Sequence, residues 1–290
     1  MNPFTILTDS TSDLPAQTVQ ELDVAVLPMR FTMEGTERLD WPDHREMDPH
    51  EFYDRLRRGQ RATTAALNAN DYIEALTPML EAGQDVLILA FSSGLSTTYQ
   101  SSVIAVEELR EKYPDRAIYT VDTLAASLGQ GLLVWHAARL RAEGRTILEV
   151  RDWVEENKLH LCHWFTVDDL NHLKRGGRVS AATALVGTML SIKPVLHVDD
   201  EGHLINMSKA RGRNASLKAL VDKMAETAID PGSQTIFISH GDCEDEAKKV
   251  ADMVKERFGV QNVYINYVGP VIGAHSGPGT MALFFLGSKR

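Results

Sequence analysis

DVLILAFSSGLSTTYQ, residues 85–100, is an apolar run of strand length, then a turn of small and hydroxyl residues, then the opening of a helix. A strand that feeds straight into a helix aims unpaired backbone N–H groups and the positive end of the helix dipole at one spot. With the hydroxyls of Ser93 and Ser96 added, a carboxylate or phosphate is the natural ligand there. An ordinary N-cap needs only one such hydroxyl, and this turn holds several beside a glycine.

The same rhythm runs outward in both directions. Short apolar runs at 4–7, 24–29, 85–91, 117–121, 159–166, 192–198, 203–208, 235–239, 261–267 and 281–286 read as strands. Between them, 96–113, 125–143, 146–157, 213–228 and 244–258 carry apolar residues three and four apart, as helices packed on a sheet do. The pattern predicts an α/β protein with parallel strands and crossover helices. Glu- and Arg-rich sequence over 139–158 sets a boundary near residue 158 between an N-terminal α/β domain, 1–158, and a C-terminal one, 159–290. The stretch 32–61, with scattered Pro, Gly and charge and little strand periodicity, reads as a long excursion with one helix starting near Pro49. Excursions of this kind often cover sites.

Composition narrows the partners. Of 290 residues, 43% are hydrophobic and 24% charged, which excludes collagen, coiled coil and disorder. Thirty basic residues against 40 acidic ones give a net charge of −10, so neither nucleic acid nor an anionic membrane is expected as a partner. The longest clean apolar stretch, Val86 to Phe91, is too short to span a membrane. Two cysteines without a CxxC pair, and an acidic start at Asp9 and Asp13, suit a cytoplasmic protein without disulfides or a cysteine-based zinc site.

Four more segments carry hydroxyl, cationic or imidazole groups in suggestive settings. Thr8–Asp13 lies at a strand's carboxyl end, where α/β sheets bind ligands, although Ser12 or Asp13 also suits a helix cap ahead of Pro15. Gly129 and Gly131 suggest close backbone packing rather than ligand contact. Arg175 and Arg178 flank two glycines after a short helix capped by Asp168 or Asp169, a plain C-cap that nonetheless brings a guanidinium fork near any anion. In GPVIGAHSGPG, 269–279, glycines and prolines surround His275 in what reads as a rigid loop, where an imidazole can donate to a bound carboxylate and, when protonated, pair with it. No GxxxxGK[ST], GxSxG or HExxH is present, and no metal site is expected. A serine nucleophile assisted by His275 stays open as a hydrolase or acyl-transferase alternative.

TDSTSDLP at 8–15, SSGLSTTYQSS at 92–102, VDTLAASLGQG at 121–131, FTVDDLNHLKRGGRVS at 165–180, IKPVL at 192–196 and GPVIGAHSGPG at 269–279 occur in that order across nearly the whole chain. Together they closely resemble the DegV family of bacterial fatty-acid-binding proteins. The resemblance implies two α/β domains with a long-chain fatty acid held in the cleft between them. It also implies a partner, the separate ATP-using catalytic subunit of fatty acid kinase, to which the bound carboxylate is presented for acyl-phosphate formation. The chain itself would then be no enzyme and need no cofactor. By the same resemblance, Ser93 and the Gly94 amide cradle the carboxylate, Ser96 and Thr63 add hydroxyls, His275 neighbours the head group, and Arg178 stands near the mouth to meet the kinase subunit. The chain departs from the family pattern at Thr63–Leu67, where a TSQPS-like segment is common, and at Thr97, where glycine is usual.

Overall fold

The computed structural model describes residues 4–179 and 192–290; Ser180, the last residue of the 165–180 segment, lies outside them. In chain order the first half contains β1 (Phe4–Asp9), α1 (Ala16–Glu21), β2 (Val24–Leu27), β3 (Met29–Met33), β4 (Thr36–Asp40), α2 (Pro49–Arg57), β5 (Ala62–Ala65), α3 (Ala69–Glu81), β6 (Asp85–Ala90), α4 (Thr98–Lys112), β7 (Ile118–Asp122), α5 (Leu128–Ala142) and α6 (Ile147–Asn157). The second half contains β8 (Leu161–Thr166), α7 (Asn171–Gly176), β9 (Ile192–Val198), β10 (Leu204–Arg211), α8 (Arg213–Thr227), β11 (Thr235–His240), α9 (Glu244–Phe258), β12 (Asn262–Tyr267), α10 (Pro270–Ser276) and β13 (Met281–Leu286).

The fold is α/β, with a cavity between two sheet assemblies. One sheet, in the order β2-β1-β6-β7, is parallel throughout. Helices cover both its faces, which explains why β6 is apolar continuously rather than alternately. The other, β10-β9-β8-β13-β11-β12, is parallel only between β11 and β12. Its remaining pairs are antiparallel, contrary to the expectation of parallel strands throughout. β9 and β10 are joined by a tight turn at 199–203, and a connection that short permits only antiparallel pairing.

Two further expectations change. The run 24–29 breaks at Pro28, which ends β2 and lets the chain start a small antiparallel sheet, β4-β3-β5. The excursion at 32–61 therefore contains β4 and leads into β5, and only its helix, α2, starts where expected, at Pro49. The second change is at 269–279, where a helix, α10, replaces the expected rigid loop: Pro270 takes its first position and Gly277, at φ 79°, ends it.

α5 lies between the two large sheets and is buried almost throughout. Its glycines face opposite ways. A Cβ on Gly129 would stand 2.4 Å from the His163 ring, and one on Gly131 2.6 Å from the Ser12 carbonyl oxygen. These close approaches bear out the packing role expected of both glycines. One apolar core consequently runs from Ile6 and Leu89 of the parallel sheet, through Leu132 and Trp135 of α5, to Phe165 and Phe284 of the second.

Candidate functional site

At the carboxyl end of β6 the turn 92–97 is shaped from inside and outside. Ser93 N–H donates to Asp122 Oδ1 (3.2 Å), and the same oxygen accepts from Leu124 N–H (3.0 Å). Ser92 Oγ donates to Gly202 O (3.0 Å) and accepts from Gly94 N–H (3.2 Å), docking the turn on the β9–β10 connection. A Cβ on Gly94 would meet the backbone of Glu201 and Gly202 at 2.7 Å, so only glycine fits there.

This turn opens on a cavity of about 580 Å³ lined by both halves of the chain. Its polar rim is a chain of contacts. Thr64 Oγ1 and His275 Nε2 lie 2.8 Å apart, the His275 ring packs against Gly176, and Arg178 Nε donates to Leu95 O at 3.2 Å. Ser93 and Ser96 line the same rim. Away from it the walls are mainly apolar, formed by residues such as Phe165, Val198, Leu204, Ala282 and Phe284, with His163, Ser127, Ser239 and Thr280 among them.

Burial, with Arg178's charge adding to it, pushes His275 down to about 4. The imidazole is neutral at pH 7 and offers one donor and one acceptor, which leaves hydrogen-bond donation rather than ion pairing of the two roles open to it. Arg178 is half-buried, and burial lowers its pKa below the usual guanidinium value. The rim thus pairs a fixed cation with neutral hydroxyls and a neutral imidazole, an arrangement suited to holding a carboxylate by directed hydrogen bonds.

The geometry brings together Ser93, Ser96, His275 and Arg178, and separates two other expected residues from them. Thr63 is exposed and does not line the cavity; Thr64 does, because β5 pairs with β3 and alternate side chains face opposite ways. The Gly94 amide is engaged by Ser92 Oγ, so it is not the free donor expected. Ser96 Oγ is 2.9 Å from Thr98 Oγ1 and accepts from Thr98 N–H (3.2 Å), so its hydroxyl is engaged by the first residue of α4 as well as lining the wall.

Thr8–Asp13 stays out of the cavity. Thr8 Oγ1 donates to Leu89 O, Asp9 accepts from the N–H groups of Thr11 and Phe91, and Gln130 bonds Thr8, Asp9 and Thr11. Asp9, rather than Ser12 or Asp13, makes the cap, and the helix at Ala16 has no side-chain cap.

Sequence reasoning missed the residues that support α10. Tyr53 Oη of α2 donates to Val268 O at 2.6 Å and stands against Gly273, while the carboxylate of buried Asp40 packs against Gly269, just ahead of α10. The amphipathic pattern of 49–57 was the available signal for Tyr53. Nothing local marked Asp40.

Among the described residues one His/Asp group converges, His50, Asp54 and Asp242, on an exposed surface, and Arg57 already pairs with Asp242. No helix among the described residues is long and apolar enough to cross a membrane.

Residues 3–288 match the family described as uncharacterised protein, DegV family. A DegV domain-containing protein of Clostridium perfringens is 49% identical over 290 residues, covering 100% of this chain and 99% of that one. Among solved structures, a DegV lipid binding protein from Thermotoga maritima superposes with a TM-score of 0.86 at 30% identity, covering 100% of both chains. A DegV family protein from Thermus thermophilus, whose structure is described as one of fatty acid binding, has a TM-score of 0.86 at 32% identity and covers 98% of this chain and 99% of that one. On sequence over its full span and on fold, this chain belongs to the DegV family.

Proposed function

We propose that the cavity holds a long-chain fatty acid and that the chain presents its carboxylate to a separate ATP-using kinase subunit, which makes the acyl phosphate. The observation that carries this reading is one cavity with a polar rim and apolar walls. Its volume of about 580 Å³ falls within the range of about 300–1,000 Å³ typical of small-molecule sites. Burying about 15 methylenes contributes roughly 12 kcal/mol before ordering and association costs are subtracted. The tail therefore supplies affinity and the rim fixes orientation. The relatives described as lipid binding and as fatty acid binding support the ligand class.

In this reading Ser93 and the neutral His275 donate to the carboxylate, Thr64 holds the imidazole, and Arg178 at the rim neutralises the head group and faces the partner subunit. Residues 1–158 and 159–290 are the two α/β domains that enclose the ligand, and the chain carries out no turnover and needs no cofactor. A serine-hydrolase mechanism needs a histidine bonded to its serine. Here Nε2 is bonded to Thr64 instead, which favours binding over catalysis.

Mass spectrometry of an organic-solvent extract of the purified protein tests the reading. Near one fatty acid per chain is expected. No enriched lipid, together with no uptake of added oleate or palmitate, overturns it. Acyl-phosphate formation from ATP only when a kinase subunit is added tests the presentation step.

A further inference from the structure

Among the apolar walls of the cavity stands a polar side chain that the rest of the chain leaves weakly paired. His163 of β8 is 1% exposed and lines the cavity; the Leu161 backbone stands near enough to raise its pKa, but neither ring nitrogen makes a hydrogen bond of ordinary geometry among the described residues. Its ring stands edge-on to Phe284 (5.6 Å between centroids), against Gly129 of α5 and on the same strand face as Phe165. The other polar groups of the wall are largely engaged. Thr64 is bonded to His275, Ser96 to Thr98, Ser127 to Asp13 and Ser239, and Thr280 to Gly277. Ser276 Oγ also lacks a partner, but it adjoins His275 at the polar rim.

A buried imidazole with neither nitrogen satisfied is destabilising, and an apolar side chain would fill the same space without that cost. Burial, together with the charges of Arg290 and His197, holds His163 well below the ordinary histidine value, so it is neutral and offers a donor and an acceptor. A trapped water needs two to four polar partners; Phe165, Phe284 and Val198 supply none, and the Ser127 and Ser239 hydroxyls of the same wall are already bonded to each other, with Ser127 also bonded to Asp13. A hydroxyl already attached to a bound chain meets the same need without requiring further partners.

We infer that His163 is a subsite for an oxygen carried part-way along the acyl chain, so that the cavity accepts mid-chain hydroxy fatty acids beside plain ones. This rests on the fatty-acid reading and adds a specificity residue to it. The hydroxyl accepts from the ring N–H or donates to the bare nitrogen, and no covalent step is involved.

The test is a calorimetric binding panel of stearate and stearates hydroxylated at carbons 9 to 12, with the wild-type chain and His163→Leu. At one or more positions the hydroxy acid is expected to bind the wild type at least as tightly as stearate does. In His163→Leu that acid weakens tenfold or more, while stearate stays within threefold. If every hydroxy acid binds the wild type more than tenfold weaker than stearate, or His163→Leu changes all ligands alike, the subsite is overturned and the fatty-acid reading stands. If stearate itself does not bind, the fatty-acid reading fails first. Should His163→Leu not fold, ¹⁵N imidazole shifts of the wild type decide. His163 shifts on adding a hydroxystearate but not stearate support the subsite, and equal or absent shifts overturn it.

Discussion

β1 and β6 are hydrogen-bonded neighbours in the parallel sheet, and both end in a run of hydroxyls, DSTSD after β1 and SSGLST after β6. Composition alone makes them equivalent ligand sites. In the folded chain, the β1 run is buried and spends its groups on Phe91, Met29, Gln130 and Ser127. The β6 run keeps Ser93 and Ser96 on the cavity wall. The difference lies in the neighbours. α5 packs onto the end of β1, with Gly131 admitting the Ser12 carbonyl and Gln130 reaching in, whereas the turn after β6 is held mainly through its backbone and Ser92, by Gly202, Asp122 and Arg178, which leaves the Ser93 and Ser96 side chains on the cavity wall. A hydroxyl cluster becomes a site when nothing in the chain covers it.

The comparison breaks most visibly at Asp9. Asp9→Ala leaves the N–H groups of Phe91 and Thr11 without their buried acceptor, while the Gln130 amide keeps Thr8 and Leu89. At about 1–3 kcal/mol per orphaned group, a loss of at least about 2 kcal/mol is expected in denaturant unfolding. A loss below about 1 kcal/mol means the β1 run is not the structural lock described.

Gly131→Ala forces a methyl against a backbone oxygen that cannot swing aside. Overpacking of this kind costs about 1–3 kcal/mol, read as a lower unfolding midpoint with an unchanged slope. Ser93→Ala acts oppositely. Stability stays within about 0.5 kcal/mol, while affinity for a fatty acid falls about tenfold, as expected on losing one bond to a charged group. An equal effect of Asp9→Ala and Ser93→Ala on melting would erase the distinction between the two strand ends.

Asp40 sharpens the comparison through pH. Burial pushes it up to about 7, against the bonds from Val271 N–H and the Ser10 hydroxyl that favour its charged form; the charge of Asp9 raises it further. The unfolded carboxyl titrates near 3.8. Between these values the folded chain holds a proton that the unfolded chain has released, so stability falls as pH rises through that window and levels off above about 7. Asp40→Asn is expected to flatten this fall between pH 5 and pH 8 in thermal melts. An unchanged pH profile contradicts the assignment to Asp40.

The main strands and helices were legible because their apolar patterns are long and periodic, as at Asp85–Ala90 and Glu244–Phe258. The hairpin of β3 and β4 was not, although Met29, Phe31 and Met33 alternate and Glu34–Gly35 forms a two-residue turn with φ 53° and 75°. The charges of Thr36–Asp40 hid its second strand. At the site, residue type was readable and parity was not: Ser93, Ser96, His275 and Arg178 stand out by composition. The choice between Thr63 and Thr64 depends on how β5 registers with β3, which no local signal gives.

That choice yields the smallest effects. Thr64 touches His275, so Thr64→Ala frees the imidazole to turn and is expected to weaken fatty acid binding a few-fold, about 1 kcal/mol or less. Thr63 faces solvent from the other side of the strand, and Thr63→Ala is expected to change neither binding nor melting by more than about 0.5 kcal/mol. Paired titrations of the two variants with one fatty acid check the parity. A larger loss from Thr63→Ala would mean that β5 shifts by one residue when ligand binds, because only a change of register exchanges the faces of a strand.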